Sequence, residues 1–309
     1  MQEAHLKSKK LLIALIISLI CGLGLGVWYA RYTQHQTIKH EYSFSSTPTI
    51  FVHGWTGTGR SEEPLFASAQ SLRIAKRHMI IYMRPNGKLK IKGHLTAKMK
   101  NPIVQVIFKN NRAGEIKDAH WLLKIMRVLK TKYHVNKYNA VGHSMGSYAW
   151  VYYNMLVGNS AKYPKLERAV LIGGPYDGII DNHKLNQPQN PPLSKLWDDQ
   201  PNENHLLKNG RPAIIRPEYQ KLLAIRSRFP KQAEVLNIYG DLLDGSNSDG
   251  VITIPSARSL GYLIKNEVRS YHELRVTGAN AQHSKLHEYN LTVNKALTNF
   301  IWGKNKAIN

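Results

Sequence analysis

The chain has 309 residues, 42% of them hydrophobic, which is enough for a sizeable buried core and too much for a disordered chain. Its 43 Lys and Arg against 20 Asp and Glu give a formal net charge of +23, a surface that attracts nucleic acid, anionic lipid head groups or anionic wall polymers. No fixed repeat, zinc-finger spacing, aromatic RNA-binding signature or basic region feeding heptads occurs, and the basic residues are dispersed. Solenoids, propellers and nucleic-acid binding are therefore set aside. Cys21 is the single cysteine, so an internal disulfide and a multi-cysteine metal site are excluded. It lies in an apolar run and reads as a small packed hydrophobe. The preceding Ser18-Leu19-Ile20 is a poor match to a lipoprotein processing site.

Residues 1–10 are basic, and residues 11–30 contain no charge. As a helix the uncharged run would rise about 30 Å, the thickness of a bilayer's hydrocarbon core. Lys7, Lys9 and Lys10 precede it, and Trp28 and Tyr29 stand where an interfacial aromatic belt belongs. Positive residues favour the cytoplasmic side, so a single-pass anchor with the following domain outside the cell is expected. The alternative is a cleaved signal peptide and a secreted protein, although Trp28 two residues before Ala30 makes a poor cleavage context. Residues 31–46 read as a polar linker, 47–303 as the folded domain and 304–309 as a tail.

Thr49-Ile50-Phe51-Val52 predicts a buried strand that ends at His53-Gly54. Met79-Ile80-Ile81-Tyr82-Met83 predicts a second. Residues 89–108, broken by Gly93 and Pro102, read as an irregular or hairpin insertion. Leu122, Ile125, Met126 and Leu129 recur at helical spacing. Tyr138-Asn139-Ala140-Val141 predicts a strand, residues 147–156 a buried helix, and Ala169-Val170-Leu171-Ile172 another strand stopped by Gly173-Gly174-Pro175. Residues 176–215 carry many Pro, Asn and Asp with little periodicity and read as a cap-like insertion. Two late strands fall at 233–239 and 270–276. Val293, Leu297, Phe300 and Ile301 mark a closing amphipathic helix. This alternation predicts an α/β fold: a mostly parallel sheet covered by helices on both faces, binding substrate at the carboxyl ends of its strands.

Gly142-His143-Ser144-Met145-Gly146 follows one predicted strand and precedes an apolar helix. A sharp strand-to-helix turn needs both glycines and holds Ser144 out at the head of the helix. A serine hydroxyl needs a base, and the base an orienting acid, in the chain order Ser, acid, His. After the strand at 233–239, Asp241, Asp244 and Asp249 compete for the acid. Asp249-Gly250-Val251, before a segment ending in Pro255, is preferred, with Asp241 as the alternative. The oxygen-rich loop does not match an EF-hand, and no metal or cofactor is expected. His283, close to the end of the last strand, is the preferred base; His287, placed in the first turn of the final helix, is the alternative. The backbone N–H groups of Trp55, in His53-Gly54-Trp55, and of Met145, after the nucleophile, are the expected oxyanion donors.

Taken with Gly173-Gly174-Pro175-Tyr176-Asp177-Gly178 and His283-Ser284-Lys285-Leu286-His287-Glu288, this ordered set resembles the α/β-hydrolase superfamily. More narrowly, it is similar to a family of exported or cell-surface α/β hydrolases of Gram-positive bacteria, first catalogued as a domain of unknown function. The resemblance covers about residues 47–303. It implies an α/β-hydrolase fold and a Ser-Asp-His hydrolase that needs no cofactor, without naming a substrate. The expected activity is extracytoplasmic hydrolysis of a carboxylic ester through an acyl-enzyme. Acyl transfer or amide hydrolysis on the same triad, and a non-catalytic surface-binding protein of the same fold, are the alternatives. Expected partners are the ester substrate, the membrane through the N-terminal helix, and anionic lipid or wall polymer.

Overall fold

The computed structural model describes residues 2–181 and 198–305, and its first element is one long helix, α1 (Gln2–Glu41). The helix does not stop where the polar segment begins. No Gly or Pro follows Gly26 within it, and Thr33 and Thr37 bond back to the carbonyls of Tyr29 and Thr33, each at 3.1 Å. Residues 31–41, expected as linker, are therefore helical. By length and composition Leu15–Glu41 can cross a bilayer: its most apolar 18-residue window has a mean hydropathy of 1.5, and none of that window is buried. Residues from Phe44 onward form a separate unit.

That unit is built on strands β1 (Thr49–Val52), β2 (Lys76–Met83), β3 (Leu89–Gly93), β4 (Pro102–Phe108), β5 (Lys137–His143), β6 (Lys165–Ile172), β9 (Glu234–Asp241) and β10 (Ser270–Thr277). They hydrogen-bond in the order β10-β9-β6-β5-β1-β4-β2-β3, every pair parallel except the β2–β3 hairpin. Residues 89–108 thus divide. β3 is the expected hairpin, whereas β4 is a central strand between β1 and β2, which corrects the insertion reading. Pro102 opens β4, where its missing N–H is tolerated, and every residue of the strand is buried. The polar Gln105 within it is satisfied: Nε2 donates to Gly59 O at 2.7 Å and Oε1 accepts from Arg77 Nη1 at 2.7 Å.

Alternation along β1 sends its side chains to both faces. Ile50 and Val52 join a core with Leu122, Ile125, Met126 and Leu129 of α3 (Glu115–Lys132) and Tyr148 of α4 (Met145–Val157). Phe51 turns the other way and meets Phe66 of α2 (Glu63–Ser71) edge-on, 5.0 Å between ring centres. Short helices α5 (Pro217–Leu223), α6 (Ile254–Arg258) and α7 (Leu260–Ile264) flank β9 in the chain, and Tyr219 of α5 donates to Ser259 O, between the other two, at 2.9 Å. The closing helix, α8 (Leu291–Trp302), packs beside α2. Each fully buried aliphatic or aromatic side chain contributes roughly 1.5–3 kcal/mol.

Of the expected cap, residues 182–197 lie outside the described residues. What is described includes a short parallel pair, β7 (Ile179–Ile180) with β8 (Asp198–Asp199), anchored by Arg216. Its guanidinium meets Asp199 at 3.0 Å and Glu203 at 2.8 Å, and its backbone N–H donates to Asp177 at 2.9 Å. Burial pushes the Asp177 carboxyl up to about 7. Thr253 donates to Asp199, which ties this segment to the loop after β9.

Candidate active site

Ser144 stands alone between β5 and α4 at φ 54°, ψ −126°. Such a conformation costs a non-glycine residue of order 1–3 kcal/mol and persists only where the surroundings impose it. Here they do. A β-carbon on Gly146 would sit 2.4 Å from Val52 O, and one on Gly142 2.7 Å from the Gly146 carbonyl carbon, so neither position admits a side chain. Ser144 N–H donates to Ile172 O at 2.8 Å, and Ser147 Oγ bridges Gly142 O at 2.8 Å and Ile172 N at 3.0 Å. Ser144 is only 9% exposed. Its hydroxyl lines a cavity of about 540 Å³ and has no hydrogen-bond partner among the described residues.

His283 lines the same cavity, in a short 3-10 turn (His283–Leu286) after β10. Its backbone N–H donates to Asp249 O at 2.9 Å, and its Nδ1 lies 2.8 Å from Asp249 Oδ2. A carboxylate accepts, so this bond assigns the proton to Nδ1 and leaves Nε2 as the basic nitrogen. Asp249 Oδ1 is itself held by the N–H groups of Val251 (2.9 Å) and Ile252 (2.7 Å), which aim Oδ2 at the imidazole. The alternatives occupy other positions. Asp241 is ion-paired to Arg275 and accepts from Leu243 N–H at 2.9 Å. His287 caps the 3-10 turn and does not lie in α8, which begins at Leu291. It lines the cavity, with Nδ1 donating to Ser61 O at 2.9 Å.

Trp55 and Met145 also line the cavity, and neither backbone N–H has a hydrogen-bond partner among the described residues. Met145 N–H is the free first donor of α4. The Trp55 loop is braced by His53, whose Nε2 accepts from Phe108 N–H at 3.0 Å while Nδ1 donates to Gly54 O at 2.8 Å. Asn111 holds the loop's other side, accepting from Thr56 N–H at 2.9 Å and donating to Gly57 O at 2.9 Å.

One contributor escapes a sequence reading. His143 Nε2 donates to His283 O at 3.1 Å, and its ring lies 4.1 Å from that of His287 and 4.7 Å from that of His283. Burial, then the neighbouring imidazoles, holds His143 well below the usual histidine range, so it stays neutral and packs behind His283. Its place beside Ser144 in the glycine-flanked turn is the one signal that could have marked it. Among the described residues no group of three or more His, Cys, Asp or Glu is arranged to hold a metal ion.

A solved gene product of Listeria innocua superposes with a TM-score of 0.70 at 25% identity, over 82% of this chain and 93% of that one. A protein from Lactobacillus plantarum, named a cell surface hydrolase, shares the fold with a TM-score of 0.61 at 22% identity, over 82% and 89%. No curated protein matches the chain. Residues 36–304 match the model of a family described as alpha/beta hydrolase of unknown function (DUF915), and the chain belongs to that family.

Proposed function

We propose that the chain is a membrane-anchored serine hydrolase that cleaves carboxylic esters outside the cytoplasm. The observation that carries this reading is the 2.8 Å bond from His283 Nδ1 to Asp249, with His283 lining one cavity together with a strained Ser144 that has no hydrogen-bond partner among the described residues. Ser144 Oγ attacks the acyl carbon while His283 Nε2 takes its proton. The N–H groups of Trp55 and Met145 donate to the oxyanion. Collapse expels the alcohol with the proton that His283 returns. Water, deprotonated by His283, then splits the acyl-enzyme, releasing the acid and restoring Ser144. Asp249 keeps Nδ1–H pointed away from the serine throughout. The uncharged stretch of α1, residues 11–30, behind three lysines supports anchoring with the enzyme outside, and the name of the Lactobacillus plantarum protein agrees with that placement.

The test uses the full chain in detergent micelles, assayed on p-nitrophenyl esters from acetyl to palmitoyl and labelled with a fluorophosphonate. Hydrolysis and labelling are expected in the wild type, with hydrolysis lowered at least about 10³-fold and labelling abolished in Ser144→Ala. A wild-type chain that neither labels nor hydrolyses any ester would sink the reading.

A further inference from the structure

The basic residues are scattered along the chain, but in one region they are unopposed. Residues 64–166 hold 19 Lys and Arg and two carboxylates, Glu115 and Asp118, both buried. The rest of the chain is nearly balanced, with 24 Lys and Arg against 18 Asp and Glu. Glu63 and Glu167, the acids just outside the region, each pair with one cation at its margin: Arg77 at 2.6 Å and Lys137 at 2.6 Å. Residues 182–197 and 306–309, outside the described set, contain no Asp or Glu and bring no further carboxylate side chain to it.

The fold gathers five of these cations on the free edge of the sheet. β3 ends the strand order, and in its antiparallel pairing with β2 Lys90 lies opposite Tyr82 and Lys92 opposite Ile80. Alternation puts Leu89 and Ile91 on the core side with Ile81 and Met83, and Lys90 and Lys92 on the other. Lys109, just after β4, and Lys92 bring their Nζ atoms to 5.4 and 5.9 Å from the centre of the Tyr82 ring. The turn between β2 and β3 adds Arg84 and Lys88, joined by a 2.9 Å bond from Arg84 N–H to Lys88 O. All five are exposed, and none has an acidic partner among the described residues.

Cations held side by side without an acid repel one another, and a bound polyanion relieves that repulsion. No large hydrophobic side chain is exposed between residues 73 and 166, so the surface offers charge and no apolar group to insert into a bilayer. Lys90 and Lys92 repeat at about 7 Å along the strand, a row that a linear chain of charges can follow. Residues 31–41 continue α1 roughly 16 Å past its uncharged stretch, more than the depth of a head-group layer, so the chain leaves the helix clear of the lipid. We propose that the β2–β3 edge is a docking surface for a linear polyanion of the cell exterior, a polymer with a phosphodiester in each repeat. The proposal takes from the functional reading above only the placement outside the cytoplasm, and none of the ester chemistry.

The test uses the full chain in phosphatidylcholine nanodiscs, with lipid-free poly(glycerol phosphate) as the probe and affinity measured at about 50 and about 200 mM salt. If the five cations each release about 0.7 of a counterion, affinity falls about 100-fold between these salts in the wild type. In the triple variant Lys90→Gln, Lys92→Gln, Lys109→Gln the fall is expected to be less than about tenfold, and binding at the lower salt at least about tenfold weaker. A second triple variant, Lys208→Gln, Lys231→Gln, Lys265→Gln, removes the same charge from exposed positions elsewhere and is expected to change affinity less than about twofold. Equal losses in the two triple variants, or no binding by the wild type, would overturn the proposal. Protection of Lys90 and Lys92 from an amine reagent in discs that contain phosphatidylglycerol, with no polymer present, would give the surface to the bilayer and overturn it too. Fluorophosphonate labelling of the same samples reports separately on Ser144, so the docking surface and the esterase reading stand or fall apart.

Discussion

Two aspartates within nine positions of each other have different partners, and the difference lies in what each oxygen touches. Asp249 is 2% exposed, with one oxygen held by two backbone N–H groups and the other on His283. Asp241 faces Arg275, whose side chain is half exposed. An amide at position 249 keeps the shape but loses the anionic acceptor, and it can turn an N–H toward Nδ1 and favour the wrong imidazole tautomer. Asp249→Asn is therefore expected to lower kcat by about 10³–10⁴-fold without unfolding the protein. Asp241→Asn is expected to change kcat by less than about threefold and stability by at most ~1 kcal/mol, the scale of an ion pair with an exposed partner. Ester kinetics beside thermal melts of both variants would decide, and equal losses of activity would remove Asp249 as the orienting acid.

At the scale of elements, the junction before α2 makes a pH-dependent prediction. Glu62 precedes that helix without capping it by its side chain, and it is 2% exposed. Burial, against a weak bond from Gln105 Nε2 at 3.4 Å, pushes its carboxyl up to about 8. Between about 4.3, where an unfolded glutamate titrates, and about 8, the folded state holds a proton that the unfolded chain has released. Stability from this group is complete below that window and is lost as pH rises through it. Glu62→Gln abolishes the effect. The unfolding free energy of wild type minus variant is expected to fall by a few kcal/mol from about pH 5 to 9, at about 1.4 kcal/mol for each tenfold difference in proton affinity between the folded and unfolded chains. Denaturant titrations across that range would show it, and a flat difference would refute it. His53, lowered chiefly by burial, acts in the opposite sense, costing stability as pH falls below about 6.5, and cancels in the difference.

On the scale of the whole molecule, charge is distributed by place. Lysines precede the uncharged stretch of α1, the chain as a whole is strongly basic, and three carboxylates, Glu115, Asp181 and Glu288, are among the described residues that line the cavity. An outward-facing enzyme predicts that a membrane-impermeant amine reagent labels lysines beyond residue 44 on intact cells. Labelling that appears only after lysis would place the enzyme inside, and recovery from the medium of a chain lacking α1 would show that the helix is removed.

The apolar helix, the alternation of strands and helices and the Gly142–Gly146 turn are legible in the chain because each is a contiguous pattern: an uncharged run, a period, a spacing. Even so, the Lys-rich flank of β4 concealed a central strand, since the place of Pro102–Phe108 between β1 and β2 is set by pairing with strands distant in the chain. The partners of His283 depend on how the loops after β9 and β10 meet, 34 positions apart, and His143 reaches His283 O across 140. The carboxylates of the cavity come from α3, the segment after β6 and the approach to α8. Contacts of that kind are set by the order of strands in the sheet, which brings together residues that no local repeat connects, and only the folded chain decides them.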